Sequence, residues 1–226
     1  MIIKKILSLA ASIISLIILQ LIFLVNSISQ ENNIKSYSRD SGVLSLMYHR
    51  FNENKYPSTN IKMDMFDEQM KIIKKQGYEF YDPDDFLNEL NKVKKDKKIL
   101  ITIDDGFKSF YKEAWPYLKK NKIPFILFVS TEPVGKRGYM TWDEIKEIND
   151  SDIGYIGHHS HTHEYLIDMT EKEFISDIET ATEIFKDRLG YVPPIFSYPF
   201  GEYSLFMKNY ISVSYTHLTL PTMELV

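Results

Sequence analysis

Two runs of consecutive apolar residues, Ile99–Ile103 (ILITI) and Phe125–Val129 (FILFV), constrain the fold of this chain more than any other feature. A strand with one wet face alternates apolar and polar side chains. These runs do not alternate, so both of their faces must be covered, as in a parallel sheet flanked by helices. Val43–Tyr48 (VLSLMY), Ile153–Ile156 and Ile195–Tyr198 read as further short strands. Between them lie helical signals. Met65–Gln76 carries Met65, Phe66, Met70, Ile72 and Ile73 at helical spacing and stops at Gly77. Phe110–Lys120 is a helical stretch in which Pro116 marks a start or a break. Thr141-Trp-Asp-Glu144 and Thr170-Glu-Lys-Glu173 are capping boxes, the second opening a long helix that runs to Leu189 before Gly190. Strands alternating with helices predict an α/β fold with a mostly parallel sheet.

A parallel barrel carries its chemistry at the C-terminal ends of its strands. The residues with chemical capacity follow the strands here. His49 comes after the first strand, Asp104-Asp105 after Ile99–Ile103, and His158, His159, His161 and His163 after Ile153–Gly157; Tyr198-Pro199-Phe200-Gly201 ends the last.

Composition narrows the classes of function. The 226 residues, 44% hydrophobic and 26% charged, suit one globular domain. A net charge of -4 with no concentrated basic face argues against a nucleic-acid partner. The basic run Lys92–Lys98 (KVKKDKK) contains Asp96, precedes a strand and reads as a solvated loop or helix end. The absence of cysteine excludes disulfides and thiolate metal sites. Fifteen tyrosines and fourteen phenylalanines suit a core and also suit contacts to carbohydrate.

At the N-terminus, Lys4 and Lys5 precede an uncharged run from Ile6 to Ile28. A stretch of about 20 apolar residues crosses a bilayer core of about 30 Å. The preceding lysines favour a cytoplasmic N-terminus, with the rest of the chain outside. Residues 1–28 are therefore expected to be a membrane anchor or, as the rival, a cleaved signal segment that leaves the protein secreted or periplasmic. Residues 29–41 are polar and read as a linker, with the domain beginning at Gly42.

Two adjacent carboxylates at a buried strand end resist shared ionisation. A cation beside one of them relieves that cost and leaves the other free to act as a base. Asp104-Asp105-Gly106 has this form, although an Asp-Gly turn alone would look the same. Four of the six histidines lie within Gly157-His-His-Ser-His-Thr-His163. His159 and His163, four apart, converge on one face of a helical turn or through a loop. A carboxylate and two histidines with open positions suit zinc or another divalent ion. Such an ion lowers the pKa of its water to about 7, and the second aspartate can take the proton as that water attacks an amide carbonyl. His158 and His161 are either alternative ligands or supports for the ligands.

These residues carry a family resemblance. Ile101-Thr-Ile-Asp-Asp-Gly106, His159-Ser-His-Thr-His163 and Phe196-Ser-Tyr-Pro-Phe-Gly201 resemble, in order and separation, the three motifs of the polysaccharide deacetylases, the NodB-homology family or carbohydrate esterase family 4. The resemblance implies a distorted (β/α) barrel of about seven strands and a hydrolase that removes N-acetyl groups from a polysaccharide. It implies Asp104 as general base and Asp105, His159 and His163 as ligands of a divalent metal, with zinc the default and cobalt, nickel or iron also accommodated. Tyr198, Pro199 and Phe200 fall on the substrate and oxyanion side, the backbone N–H near Phe200 helping to hold the oxyanion. Leu46-Met-Tyr-His-Arg-Phe51 resembles the early Tyr-His motif of the poly-N-acetylglucosamine deacetylases, which implies His49 as the general acid. Ser197 stands where many members carry an arginine that orients the base, and Phe200 replaces the usual tyrosine. The same site could act on peptidoglycan, chitin oligomers or another acyl substrate. A noncatalytic, membrane-tethered glycan-binding protein is the reading from another class, and the intact Asp104, Asp105, His159 and His163 argue against it.

After the third motif a complete barrel should continue. Residues 213–222 instead resemble the translation of a sequencing-library adapter. The expected domain is therefore 42–212, C-terminally truncated, with 213–226 a non-native tail.

Overall fold

A computed structural model of the chain describes residues 44–85, 97–214 and 219–220. The expected anchor and linker, Val43, most of the lysine run, and residues 215–218 and 221–226 lie outside the described residues. Among the described residues, no helix is long and apolar enough to cross a membrane.

In chain order the strands are β1 (Leu44–Tyr48), β2 (Arg50–Phe51), β3 (Asn60–Ile61), β4 (Glu79–Phe80), β5 (Lys98–Ile103), β6 (Phe125–Val129), β7 (Gly154–His158), β8 (Phe196–Ser197) and β9 (Thr219–Leu220). The helices are α1 (Met63–Lys75), α2 (Trp115–Asn121), α3 (Trp142–Asn149), α4 (Glu171–Leu189) and α5 (Leu205–Ser214). Seven strands form one sheet in the order β1-β5-β6-β7-β8-β9, with β4 also paired to β5; β2 and β3 pair separately. Every pairing between these strands is parallel. This is the α/β architecture of a distorted (β/α) barrel, as expected.

The two-residue period of the strands divides the core. Ile99, Ile101 and Ile103 of β5 and Phe125, Leu127 and Val129 of β6 pack in one cluster with Phe66, Phe110, Trp115 and Ile145 from the helical layer. Leu100, Ile126 and Phe128 have the opposite parity and form a second cluster with Tyr81 and Ile195 on the interior face. Both faces of β5 and β6 are thus covered, which is why their sequences do not alternate. A third cluster sets Phe174 and Ile178 of α4 and Met207 and Ile211 of α5 against Phe196 and Tyr198.

Both expected capping boxes are formed, with Thr141 and Thr170 each accepting from the backbone N–H of the glutamate three residues on. Pro116 marks a start: Phe110–Ala114 is a π-helical turn, and α2 begins at Trp115 with the proline in its first turn, where its missing N–H costs nothing. The expected stripe on α1 needs correction. Phe66, Met70 and Ile73 face inward, but Met65 and Ile72 are 52% and 50% exposed. Each sits one position before an inward residue, about 100° away around the helix. Within the expected tail, α5 continues to Ser214, and Thr219–Leu220 pair with Phe196–Ser197.

Candidate active site

Strand parity decides which side chains reach the barrel interior. Leu100, Thr102 and Asp104 share one face at the end of β5, and Gly157 and His159 share one at the end of β7. His158 has the opposite parity and packs among the aromatic rings of Phe185 and Phe196, each 5.1 Å away between centroids. Met47 and His49 likewise share a parity on β1 and both line the cavity that forms there. This cavity, of about 370 Å³, is also lined by Asp104, Asp105, His159, His163, Tyr198 and Phe200.

Backbone turns complete the convergence. Asp104 N–H donates to the Tyr48 carbonyl at 2.8 Å, tying β5 to β1 beside His49. The chain then passes through left-handed Asp105 (φ 72°) and Gly106 (φ 70°). Ser160 (φ 68°), His163 (φ 60°) and Phe200 (φ 59°) are also left-handed, so four of the seven such non-glycine residues among those described sit at this site. Each costs roughly 1–3 kcal/mol, and their clustering here indicates geometry held for chemistry. The loop, not a helical turn, brings His159 and His163 together.

Asp105 Oδ1 lies 2.8 Å from His163 Nε2 and 3.4 Å from His159 Nε2. His159 Nδ1 is 2.9 Å from the Ser197 carbonyl and donates to it, which leaves Nε2 facing Asp105. One ligand atom from each of these three residues lies within 4.8 Å of the other two. Among the described residues, Asp104 Oδ1 and Asp105 Oδ1 are both buried with no hydrogen-bond partner. A carboxylate with a buried oxygen that lacks a hydrogen-bond partner, beside two imidazole nitrogens, fits a divalent cation with open coordination positions.

The electrostatics separate the two aspartates. Burial pushes the Asp104 carboxyl up, against the opposing pull of His159, His49 and His163. Burial would also raise Asp105, but the close imidazoles of His159 and His163 outweigh it and hold this carboxyl well below the usual range. Burial depresses His159, yet Asp105 and Asp104 bring it above its ordinary value. Burial, reinforced by His159, drives His158 down to about 3.

These surroundings settle the placement of the two unassigned histidines. His158 Nδ1 accepts from the Ser160 N–H at 3.1 Å, so this neutral ring supports the loop from outside the barrel interior. His161 Nδ1 is 2.8 Å from Thr131 Oγ1 and lies apart from the Asp105–His159–His163 group. Pro199 is buried and does not line the cavity, whereas Tyr198 and Phe200 do. Phe200 stacks on Tyr165 at 4.0 Å between centroids and meets His163 edge-on at 5.0 Å.

Three supports were absent from the sequence reading. Ser130 Oγ donates to the His159 carbonyl at 2.5 Å, and Glu132 N–H to the His161 carbonyl at 2.9 Å. Asp177 of α4 accepts from the N–H groups of His161 and Thr162. The polar run directly after β6 was a usable signal for the first two. Asp177 has none, being an acidic residue in a helix of ordinary charge content.

Residues 91–213, more than half of the chain, match the family model described as polysaccharide deacetylase. The chain belongs to the polysaccharide deacetylase family. It is 29% identical over 161 residues to YxkH of Bacillus subtilis, covering 70% of this chain and 57% of that protein. It is 24% identical over 191 residues to the poly-beta-1,6-N-acetyl-D-glucosamine N-deacetylase of Staphylococcus aureus, covering 72% of this chain and 66% of that protein. The chain therefore spans less than two thirds of the length of these relatives. Among solved structures it is similar to IcaB from Ammonifex degensii, with a TM-score of 0.70 and 28% identity over 76% of this chain and 80% of that one. His49 lies outside the family match, in the segment before it.

Proposed function

We propose that this protein hydrolyses N-acetyl groups from a polysaccharide of poly-N-acetylglucosamine type, outside the cytoplasm. The observation that carries the reading is the convergence of His49 and Asp104 with Asp105, His159 and His163 on one cavity. The similarity to the staphylococcal poly-beta-1,6-N-acetyl-D-glucosamine N-deacetylase supports the substrate class.

Asp105, His159 and His163 hold the divalent cation, with zinc the default. When bound, it supplies Lewis-acid polarisation and a water of low pKa. Asp104 takes the proton from the attacking water, and its burial raises its affinity for protons, as suits a base. His49, across the same cavity, gives a proton to the leaving amine nitrogen, so that water and amide become acetate and free amine. Phe200 and Tyr165 form an aromatic rim, 48% and 44% exposed, that suits the apolar face of a sugar ring. The expected anchor at Ile6–Ile28 would keep the domain at the outer membrane–water boundary of the cell.

Acetate release from N-acetylglucosamine oligomers tests the reading, before and after chelation and with zinc restored. Release that stops on chelation and returns with zinc is the expected result. A metal-loaded protein that releases no acetate from these oligomers, but does from peptidoglycan or chitin fragments, would move the substrate assignment. A protein that binds these glycans but no metal would favour the noncatalytic reading.

A further inference from the structure

Asp177 lies on the inward face of α4, with Phe174, Ile178, Ala181 and Phe185, and is only 6% exposed. An ionised carboxylate in such surroundings is costly unless its oxygens are satisfied. Three donors satisfy it, and all come from the loop between His159 and His163. The His161 N–H reaches Oδ1 at 2.7 Å; the Thr162 N–H and hydroxyl reach Oδ2 at 2.9 and 2.7 Å. The loop's other side rests on the segment after β6, through Thr131 N–H to the Ser160 carbonyl at 3.3 Å and Glu132 N–H to the His161 carbonyl at 2.9 Å. The loop is thus held between α4 and β6.

The two histidines of the loop are not equally fixed. The His159 ring is oriented directly by the Ser197 carbonyl and is 3% exposed. His163 is 27% exposed and left-handed, and its backbone N–H donates to Ser160 Oγ within the same loop at 3.1 Å. The position of His163 therefore depends on the loop backbone, and the middle of that backbone is bound to Asp177.

We infer that Asp177 is a positioning residue for the metal site: by binding the backbone at His161 and Thr162, it holds His163 where it can share a cation with Asp105 and His159. The inference rests on the proposed metal site. An asparagine at this position keeps one acceptor but turns an NH₂ group towards donors, so it releases part of the loop while conserving shape.

The test is the zinc dissociation constant of the purified protein, measured by competition with a chromophoric chelator. The same measurement is made on Asp177→Asn, on Thr162→Ala, and on Ile145→Val as a control for lost stability in a distant part of the core. Asp177→Asn is expected to weaken zinc binding about ten- to hundredfold, and Thr162→Ala by a smaller factor of about two to ten. Ile145→Val is expected to bind as the unmutated protein does. Cobalt in place of zinc adds a second readout, because its visible spectrum reports ligand geometry and should change in Asp177→Asn. Unchanged zinc affinity in a folded Asp177→Asn overturns the inference; should that variant not fold, unchanged affinity in Thr162→Ala does so. An unmutated protein that binds no zinc removes the metal site itself, and this inference with it.

Discussion

Asp104 and Asp105 are neighbours in the chain and opposites in their electrostatics. Both are buried, but the two imidazoles facing Asp105 hold its carboxyl low, whereas burial wins at Asp104 and its carboxyl holds its proton more tightly. Their replacements should therefore fail differently. Asp104→Asn should keep its zinc and lose about 10²–10⁴-fold in kcat, the range of a general base. Asp105→Ala or His159→Ala should lose metal and activity together. Metal content by mass spectrometry, beside acetate release, separates the two outcomes, and a fully active Asp104→Asn would mean that another group is the base. Most of this site was legible from the sequence because strand ends and the spacing of polar residues carry the signal. His158 and His159 are adjacent, and the fold was needed to separate them: His158 is in phase with Ile156, which packs in the helix-facing cluster, and His159 lines the cavity. Asp177 was not legible, because only the fold brings the middle of α4 to a loop fifteen residues earlier.

At the scale of elements, β1, β5, β6, β7, β8 and both capping boxes followed from local sequence, whereas the two-residue strands β2, β3, β4 and β9 did not, and the difficulties arose where neighbours decide. Met65 and Ile72 fit the helical period of α1, but only Phe66, Met70 and Ile73 meet the sheet. Gly157 is a second case. In sequence it is one more glycine; in the fold, a Cβ there would stand 2.3 Å from Phe128 Cδ1 and 2.4 Å from Cε1. Phe128 is fully buried between neighbouring strands and has little room to yield. Gly157→Ala should cost about 1–3 kcal/mol by overpacking, read as a lower urea midpoint. It should also weaken zinc binding, because the strain falls two residues before His159. The capping box of α3 makes a pH prediction. Burial would raise the Glu144 carboxyl, but hydrogen bonds from Lys108 and from the Thr141 backbone outweigh it and lower its pKa. A depressed carboxylate stabilises the fold above its unfolded pKa, and the contribution is lost as the pH falls through the lower, folded value. Glu144→Gln, which keeps the backbone acceptor but not the charge, should be about 0.5–1 kcal/mol less stable at neutral pH. The gap should narrow in urea titrations as the pH is taken below 4.5, the ordinary value for a glutamate. A gap that persists there would mean that shape, not charge, is what Glu144 contributes.

At the scale of the whole molecule, local strain and unsatisfied polar atoms among the described residues concentrate at one end of the sheet. Asp105, Ser160, His163 and Phe200 are left-handed there, and Asp104 Oδ1, Ser197 Oγ and Tyr198 Oη are buried without hydrogen-bond partners. The apolar clusters on both faces of β5 and β6 offset these costs, which lets the fold hold the site open in advance of its ligand. A cation that binds only the folded site must then stabilise the entire domain. At a free zinc concentration of about 100 Kd the gain is about 2.7 kcal/mol. For a domain of this size each kcal/mol moves the melting temperature by about 2–4 °C, so zinc should raise it by roughly 5–10 °C. Calorimetry with a chelator and with zinc measures the shift. Asp105→Ala should melt at the same temperature in both conditions, because it lacks the carboxylate that joins the two histidines. Asp104→Asn should keep the full shift if its side chain, as proposed, takes a proton and does not hold the cation. A zinc-dependent shift that survives in Asp105→Ala would place the cation elsewhere in the molecule and take the proposed ligand set with it.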